Sequence, residues 1–259
     1  MLRKLLGRAA QPARCRPFAA VAALSLLLLV GAGGKTHAAF AVFTTPVGST
    51  AGGQPVNAEA DITTSAGQIQ IVLKNLQANP TSVIQCISSF SFTLASPANL
   101  TGSSQTAANA PTINVNNGGT TTPGSTLTTV AAVGWVFTAG PPGLLNVLGA
   151  GGAGPANLII GPPGAGGVYS NAGGSIAGNG PHNPFLNQTA TFTITAPNVT
   201  AGTTIASVIF GFGTTGDAPV PGTGQTPEPA TVITLVTGLP FGLLALRRRL
   251  RRQQADVAV

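Results

Sequence analysis

Through the middle of the chain, apolar side chains recur at every second position. Ile69, Ile71 and Leu73 alternate with Gln68, Gln70 and Val72. Phe90, Phe92 and Leu94 alternate with Ser89, Ser91 and Thr93, and Ala190, Phe192 and Ile194 alternate with Thr189, Thr191 and Thr193. Ala206, Val208, Phe210 and Phe212 form one face of a further segment. Successive strand residues point to opposite faces, so this pattern, rich in Thr, Ile, Val and Phe, predicts half-buried β-strands. Weaker strand candidates are 56–63, 112–116, 126–137 and 157–160. Asn79-Pro80, Asn117-Gly118-Gly119 and Pro123-Gly124 are turn signals between them. No stretch of the central region has the apolar spacing of an amphipathic helix. Strands without intervening helices predict an all-β fold, an antiparallel β-sandwich or jelly-roll-like domain over residues 42–216.

From 138 to 181 the alternation stops. Nearly half of this stretch is Gly or Pro and none of it is charged, but Leu144, Leu145, Val147, Leu148 and Leu158 to Ile160 interrupt it. A disordered linker would lack such anchors, so long loops pinned to the strands are expected, with one short strand among them. Gly140-Pro141-Pro142-Gly143 recurs as Gly161-Pro162-Pro163-Gly164 without the strict triplet of a collagen helix. Residues 217–226, rich in Pro, Gly and Thr, read as a flexible spacer.

Both ends carry a different pattern. At the N-terminus a basic region through Arg16 precedes an apolar stretch from Phe18 to Val30 and then small residues. This has the form of a secretory signal helix, assigned to residues 1–41. Ala39-Phe40-Ala41 offers an A-x-A-like cleavage site, and Thr36-His37-Ala38 competes with it. At the C-terminus stand Pro227, Glu228 and Pro229, an uncharged run from Ala230 to Leu246, and Arg247, Arg248, Arg249, Arg251 and Arg252. At about 1.5 Å per helical residue the run spans roughly 25 Å, the short end of what crosses a bilayer core. Arginines directly after it act as a stop on the cytoplasmic side.

This ending, residues 227–252 with a short tail at 253–259, resembles the PEP-CTERM sorting signal of Gram-negative bacteria. That family joins a Pro-Glu-Pro motif, one hydrophobic transmembrane helix and an Arg cluster. The resemblance implies that an exosortase-type processing enzyme acts near Pro227, Glu228 and Pro229, after the secretion machinery has placed the chain at the inner membrane. Less specifically, the region from Ala58 to Thr214 resembles other exported proteins with the same ending, through Gly67-Gln68-Ile69-Gln70-Ile71, Asn157-Leu158-Ile159-Ile160-Gly161 and Phe210-Gly211-Phe212-Gly213-Thr214.

Charge changes the picture only once it is located. The formal charge of +7 would ordinarily point to nucleic acid or a membrane surface. Most of it lies in the two targeting segments. Residues 42–226 carry Lys74 against Glu59, Asp61 and Asp217, which argues against nucleic acid as a partner. From 75 to 216 there is no Lys, Arg, Asp or Glu at all. Acid–base catalysis needs a titratable group beside the reacting atom, so the chain reads as non-enzymatic, with no catalytic, cofactor or metal residues. Glu59 and Asp61 share one face of a predicted strand. They read as a polar edge that discourages strand association, and as an acid pair in the alternative reading of a secreted carbohydrate-active hydrolase.

His182 reads as a hydrogen-bonded loop residue within Gly180-Pro181-His182-Asn183-Pro184, and Cys86 as a buried core side chain. Gly149-Ala150-Gly151-Gly152-Ala153-Gly154 matches G-x-G-x-x-G, but Pro155 stands where a helix would have to begin. Asn99, Asn187 and Asn198 begin N-x-[ST] sequons. The whole predicts an exported surface or matrix protein that contacts neutral exopolysaccharide, or else one that stays anchored in the membrane with its tail intact.

Overall fold

The computed structural model describes residues 38–148, 155–170, 175–215 and 218–225. Residues 1–37 of the leader, the Pro227-Glu228-Pro229 motif, the 230–246 run and the Arg cluster lie outside these. Among the described residues no helix is long and apolar enough to cross a membrane.

The chain is predominantly β. The described residues begin with β1 (Ala39–Thr44), a small hairpin of β2 (Thr50–Ala51) and β3 (Gln54–Pro55), then β4 (Ala58–Ser65) and β5 (Gln68–Asn75). Next come β6 (Ile87–Leu94), β7 (Ser104–Val115) and β8 (Thr121–Leu127). The four-residue helix α1 (Val130–Val133) precedes β9 (Val136–Thr138) and β10 (Gly143–Asn146). β11 (Ile159–Ile160), β12 (Phe185–Asn187), β13 (Thr189–Thr195) and β14 (Ile205–Phe212) come after them, and β15 (Ala218–Pro221) and β16 (Thr223–Gln225) complete the set.

The strongest alternations form the longest strands. β4 and β5 pair in register from Ala58 opposite Asn75 to Ser65 opposite Gln68. Only Ala66 and Gly67 join them, and Gly67 takes a φ of +75°, which glycine adopts without a side-chain penalty. Ile69, Ile71, Leu73, Phe90, Phe92, Ala190, Phe192 and Ile194 are all buried, as their spacing predicts.

Among the described residues, fourteen strands form one large sheet whose main path runs β15-β14-β6-β11-β12-β7-β13-β5-β4-β1-β16. Pairing is antiparallel except for β11 with β12, so the sheet is mixed. β7 serves two neighbourhoods: residues 104–109 pair with β13, and residues from Ala110 onward pair with β8 and β12. Side chains from both arms of the path, Ile71 and Phe192 from one and Phe90 and Phe210 from the other, share a single buried cluster. A second cluster gathers Cys86, Ile113, Leu158, Ile160, Tyr169, Ile176 and Phe185. It pins the Gly-rich loops, so Leu158 and Ile160 are the anchors expected of them, joined by Tyr169 and Ile176. Among the described residues of that region lie two short strands, β10 and β11, where one was expected.

Three expectations are corrected. Residues 218–225 are not a flexible tether: they form β15 on β14 and β16 on β1, at the two extremes of the path. The strand domain begins at Ala39 and not at residue 42, because β1 pairs with β4 from its first residue. Ala206 is exposed and off the buried face, since the β14–β6 register shifts between Ile205 and Ser207. A bulge there adds one residue and breaks the period of two.

β15 and β16 are separated by Gly222 alone, so one residue ties the two extremes of the sheet together. Its N–H donates to the Val208 carbonyl at 3.0 Å. A Cβ at this position would overlap the Val208 side chain and fall 2.9 Å from the Phe210 ring. Overpacking of this kind costs about 1–3 kcal/mol. Gly222→Ala is therefore expected to lower unfolding free energy by about that amount in urea titration. Gly202→Ala, with nothing nearer than 4.0 Å to the added carbon, should stay within about 0.5 kcal/mol of wild type. Equal stability of the two variants would contradict the closure.

Candidate functional site

The outward face of β1, β4, β5, β13 and β7 carries the polar half of the alternation. Cross-strand registers place Thr63, Gln70 and Thr193 in one row and Ser65, Gln68, Thr195 and Ser104 in another. A third row holds Asp61, Val72, Thr191 and Asn109. These are mostly hydroxyls and amides on a regular pleated surface, and charge is confined to one end of it.

There, Lys74 on β5 lies opposite Glu59 on β4. Its ammonium sits 2.6 Å from Glu59 Oε1 and 2.5 Å from Asp61 Oδ2. The spacing of two along β4 puts both carboxylates on one face, as the sequence predicts, and the register brings the lysine between them. Hydrogen bonds to Asp61 and then Glu59 raise the Lys74 pKa above its ordinary 10.5, against a smaller opposing effect of burial. The polar-edge reading is corrected: β4 is an interior strand, paired with β1 on one side and β5 on the other. The acids are bound to a cation and have no edge to guard. All three side chains keep about a quarter of their surface exposed, so the cluster is worth little as stabilisation.

Of the other ionisable groups among the described residues, Cys86 and Tyr169 lie in the second buried cluster and His182 stands beside it. His182 ends a 3₁₀ turn, with Nδ1 3.0 Å from the Pro155 carbonyl and its ring against Phe185. Cys86 is wholly buried, and burial pushes its thiol pKa far up. A thiolate nucleophile needs the opposite shift. Tyr169 is raised by burial too, and its hydroxyl donates to the Gly161 carbonyl at 2.7 Å. Among the described residues no three His, Cys, Asp or Glu side chains gather as a metal site. The G-x-G-x-x-G residues 149–154 lie outside the described residues, and residues 155–158 form no helix before β11.

Concave surface occurs at one end of the strands, in a groove of about 430 Å³ lined by Thr93, Leu94, Asn99, Leu100, Thr101 and Pro141. A second hollow of about 250 Å³ shares Ala98 and Asn99 and adds Ser96, Asn198 and Thr200. Neither is lined by an ionisable group. Two of the sequon asparagines meet here: Asn198 Nδ2 donates to Asn99 Oδ1 at 2.9 Å and to the Thr101 carbonyl at 3.1 Å. This contact between residues 99 apart was not legible in the sequence, because nothing in an N-x-[ST] triplet marks its partner.

The pKa directions predict alkaline sensitivity. Cys86, Tyr169 and Lys74 all hold their protons more tightly when folded. Each therefore contributes stability that is complete below its unfolded pKa and is lost as pH rises through the folded value. With ordinary values of 9.0, 10.0 and 10.5, the urea midpoint should fall from about pH 9 upward. Cys86→Ala should delay that fall toward pH 10, and an unchanged alkaline profile would contradict the burial of the thiol. Comparison with protein-family models, with curated proteins and with solved structures finds no match to this chain.

Proposed function

We propose that this is an exported, non-enzymatic surface or matrix protein: a β-sandwich, jelly-roll-like cargo carried between a cleavable leader and a C-terminal sorting signal. The observation that carries this reading is the β1–β16 pair. It is antiparallel, with Thr44 opposite Thr223 and Val42 opposite Gln225. Ala39 and Gln225, the points nearest the two targeting segments, thus face the same end of neighbouring strands. At roughly 3.3 Å per strand residue they lie on the order of 10 Å apart along the pair. Such a domain accommodates a leader and a sorting helix in one membrane, with the cargo on one side of it.

Sorting then proceeds through Pro227, Glu228 and Pro229. Each proline biases the residue before it toward extended geometry, which keeps a cut site out of the helix. Arg247, Arg248, Arg249, Arg251 and Arg252 hold the tail on the cytoplasmic face until an exosortase-type enzyme acts. The pairing of Glu59 and Asp61 with Lys74 supports a structural role for both acids. The Thr, Ser, Asn and Gln rows, together with the uncharged grooves, support neutral exopolysaccharide as the contact outside the cell. Recognition by hydroxyls and amides depends little on ionic strength.

Two measurements test the reading. The intact mass of the extracellular form should correspond to a chain ending near residue 229, and the triple variant P227A/E228A/P229A should remain in the membrane fraction. Unprocessed release of the variant would contradict the sorting role. Retention on neutral polysaccharide should change less than about twofold between low and high salt, consistent with the absence of screened charge contacts; no retention at any ionic strength would contradict the matrix role.

A further inference from the structure

The leader contains two candidate cleavage sites three residues apart, and the strand register distinguishes them. Ala39-Phe40-Ala41 is the better match to small residues at both ends of a triplet, and cutting after it would start the chain at Val42. In the structure those three residues are the first half of β1. Ala39 pairs with Thr64, Phe40 with Thr63 and Ala41 with Ile62. The Ala39 N–H donates to the Ala201 carbonyl at 2.9 Å. Beside this strand end Thr64 is only 2% exposed, and its hydroxyl donates to the Thr203 carbonyl at 2.7 Å. Ala41 packs against the main core cluster.

Removing 39–41 would leave β4 without its β1 neighbour over Ile62–Thr64, strip the Ala201 carbonyl of its donor and open the Thr64 bond to water. Each ladder hydrogen bond lost there forfeits its net stabilisation of about 0.5–1.5 kcal/mol, and the contact of half-buried Ala41 with the core goes with it. Ala38, by contrast, is exposed and belongs to no strand. Thr36 and Ala38 supply the small side chains that a leader peptidase reads at the third and first positions before its cut.

We propose that the leader is removed between Ala38 and Ala39, so that the exported chain begins at the first paired residue of β1. Water adds across that peptide bond, leaving a carboxylate on Ala38 and an α-amine on Ala39. The new amine retains an N–H for the Ala201 carbonyl, so the cut preserves the whole six-residue strand. The inference rests on the export reading, yet it fails separately from it.

The test is the N-terminal sequence of the exported protein, expressed from the full chain in a Gram-negative host. The expected first residue is Ala39. A chain starting at Val42, or at any other exported N-terminus, overturns the proposed site while leaving export intact. Retention of Met1 on all of the protein overturns the cleavable leader and the site together. Ala38→Lys supplies a second readout, since this exposed position lies outside the strand and its change spares the fold. The variant should accumulate as precursor, whereas continued cleavage to Val42 would overturn the assignment.

Discussion

The fold depends on how the two extremes of a fourteen-stranded sheet are brought together. An open sheet of that size leaves two edges of unpaired N–H and C=O groups and an apolar face to cover. Here the last two strands supply the answer. β15 extends the arm that contains Phe90 and Phe210, β16 extends the arm that contains Phe43 and Ile62, and Gly222 crosses between them. The crossing is short because the arms already share one core. It must be glycine because Val208 and Phe210 occupy the space where a side chain would go.

That closure explains which parts of the sequence were readable. Strands such as 68–75 and 189–195 could be recognised because one face is solvent and the other core, which forces a period of two on their side chains. Residues 218–225 carry no such signature. Ala218 and Val220, alternating with Pro219 and Pro221, make too short a run for periodicity, and the composition of Pro, Gly and Thr is that of a spacer. Their strand character comes from partners on β14 and, far away in sequence, on β1, which no local pattern encodes. Ala206 misled for a related reason, as a bulge is set by the partner strand.

The candidate site was legible in part. The spacing of Glu59 and Asp61 disclosed their shared face, but the interior position of β4 and the bridging by Lys74 are facts of pairing between strands. The pairing of Asn99 with Asn198 is a fact of the same kind. The wide interval without charge, by contrast, was visible at once, and it shapes the surface. With charge confined to the Lys74 cluster, the remaining outward face of these strands interacts through hydroxyl and amide dipoles, which suits a neutral hydrogen-bonding partner over an ionic one.

Closure of the sheet by residues 218–225 can be measured at the backbone. Native-state hydrogen exchange of the exported protein reports it, because paired strands open only with the cooperative unit to which they belong. If these residues close the sheet, the amides of Val220, Thr223 and Gln225, which face their partner strands, are protected to an extent comparable with their partners on β14 and β1. Exchange of these amides at the rate of a free peptide, beside a protected β14, would contradict it.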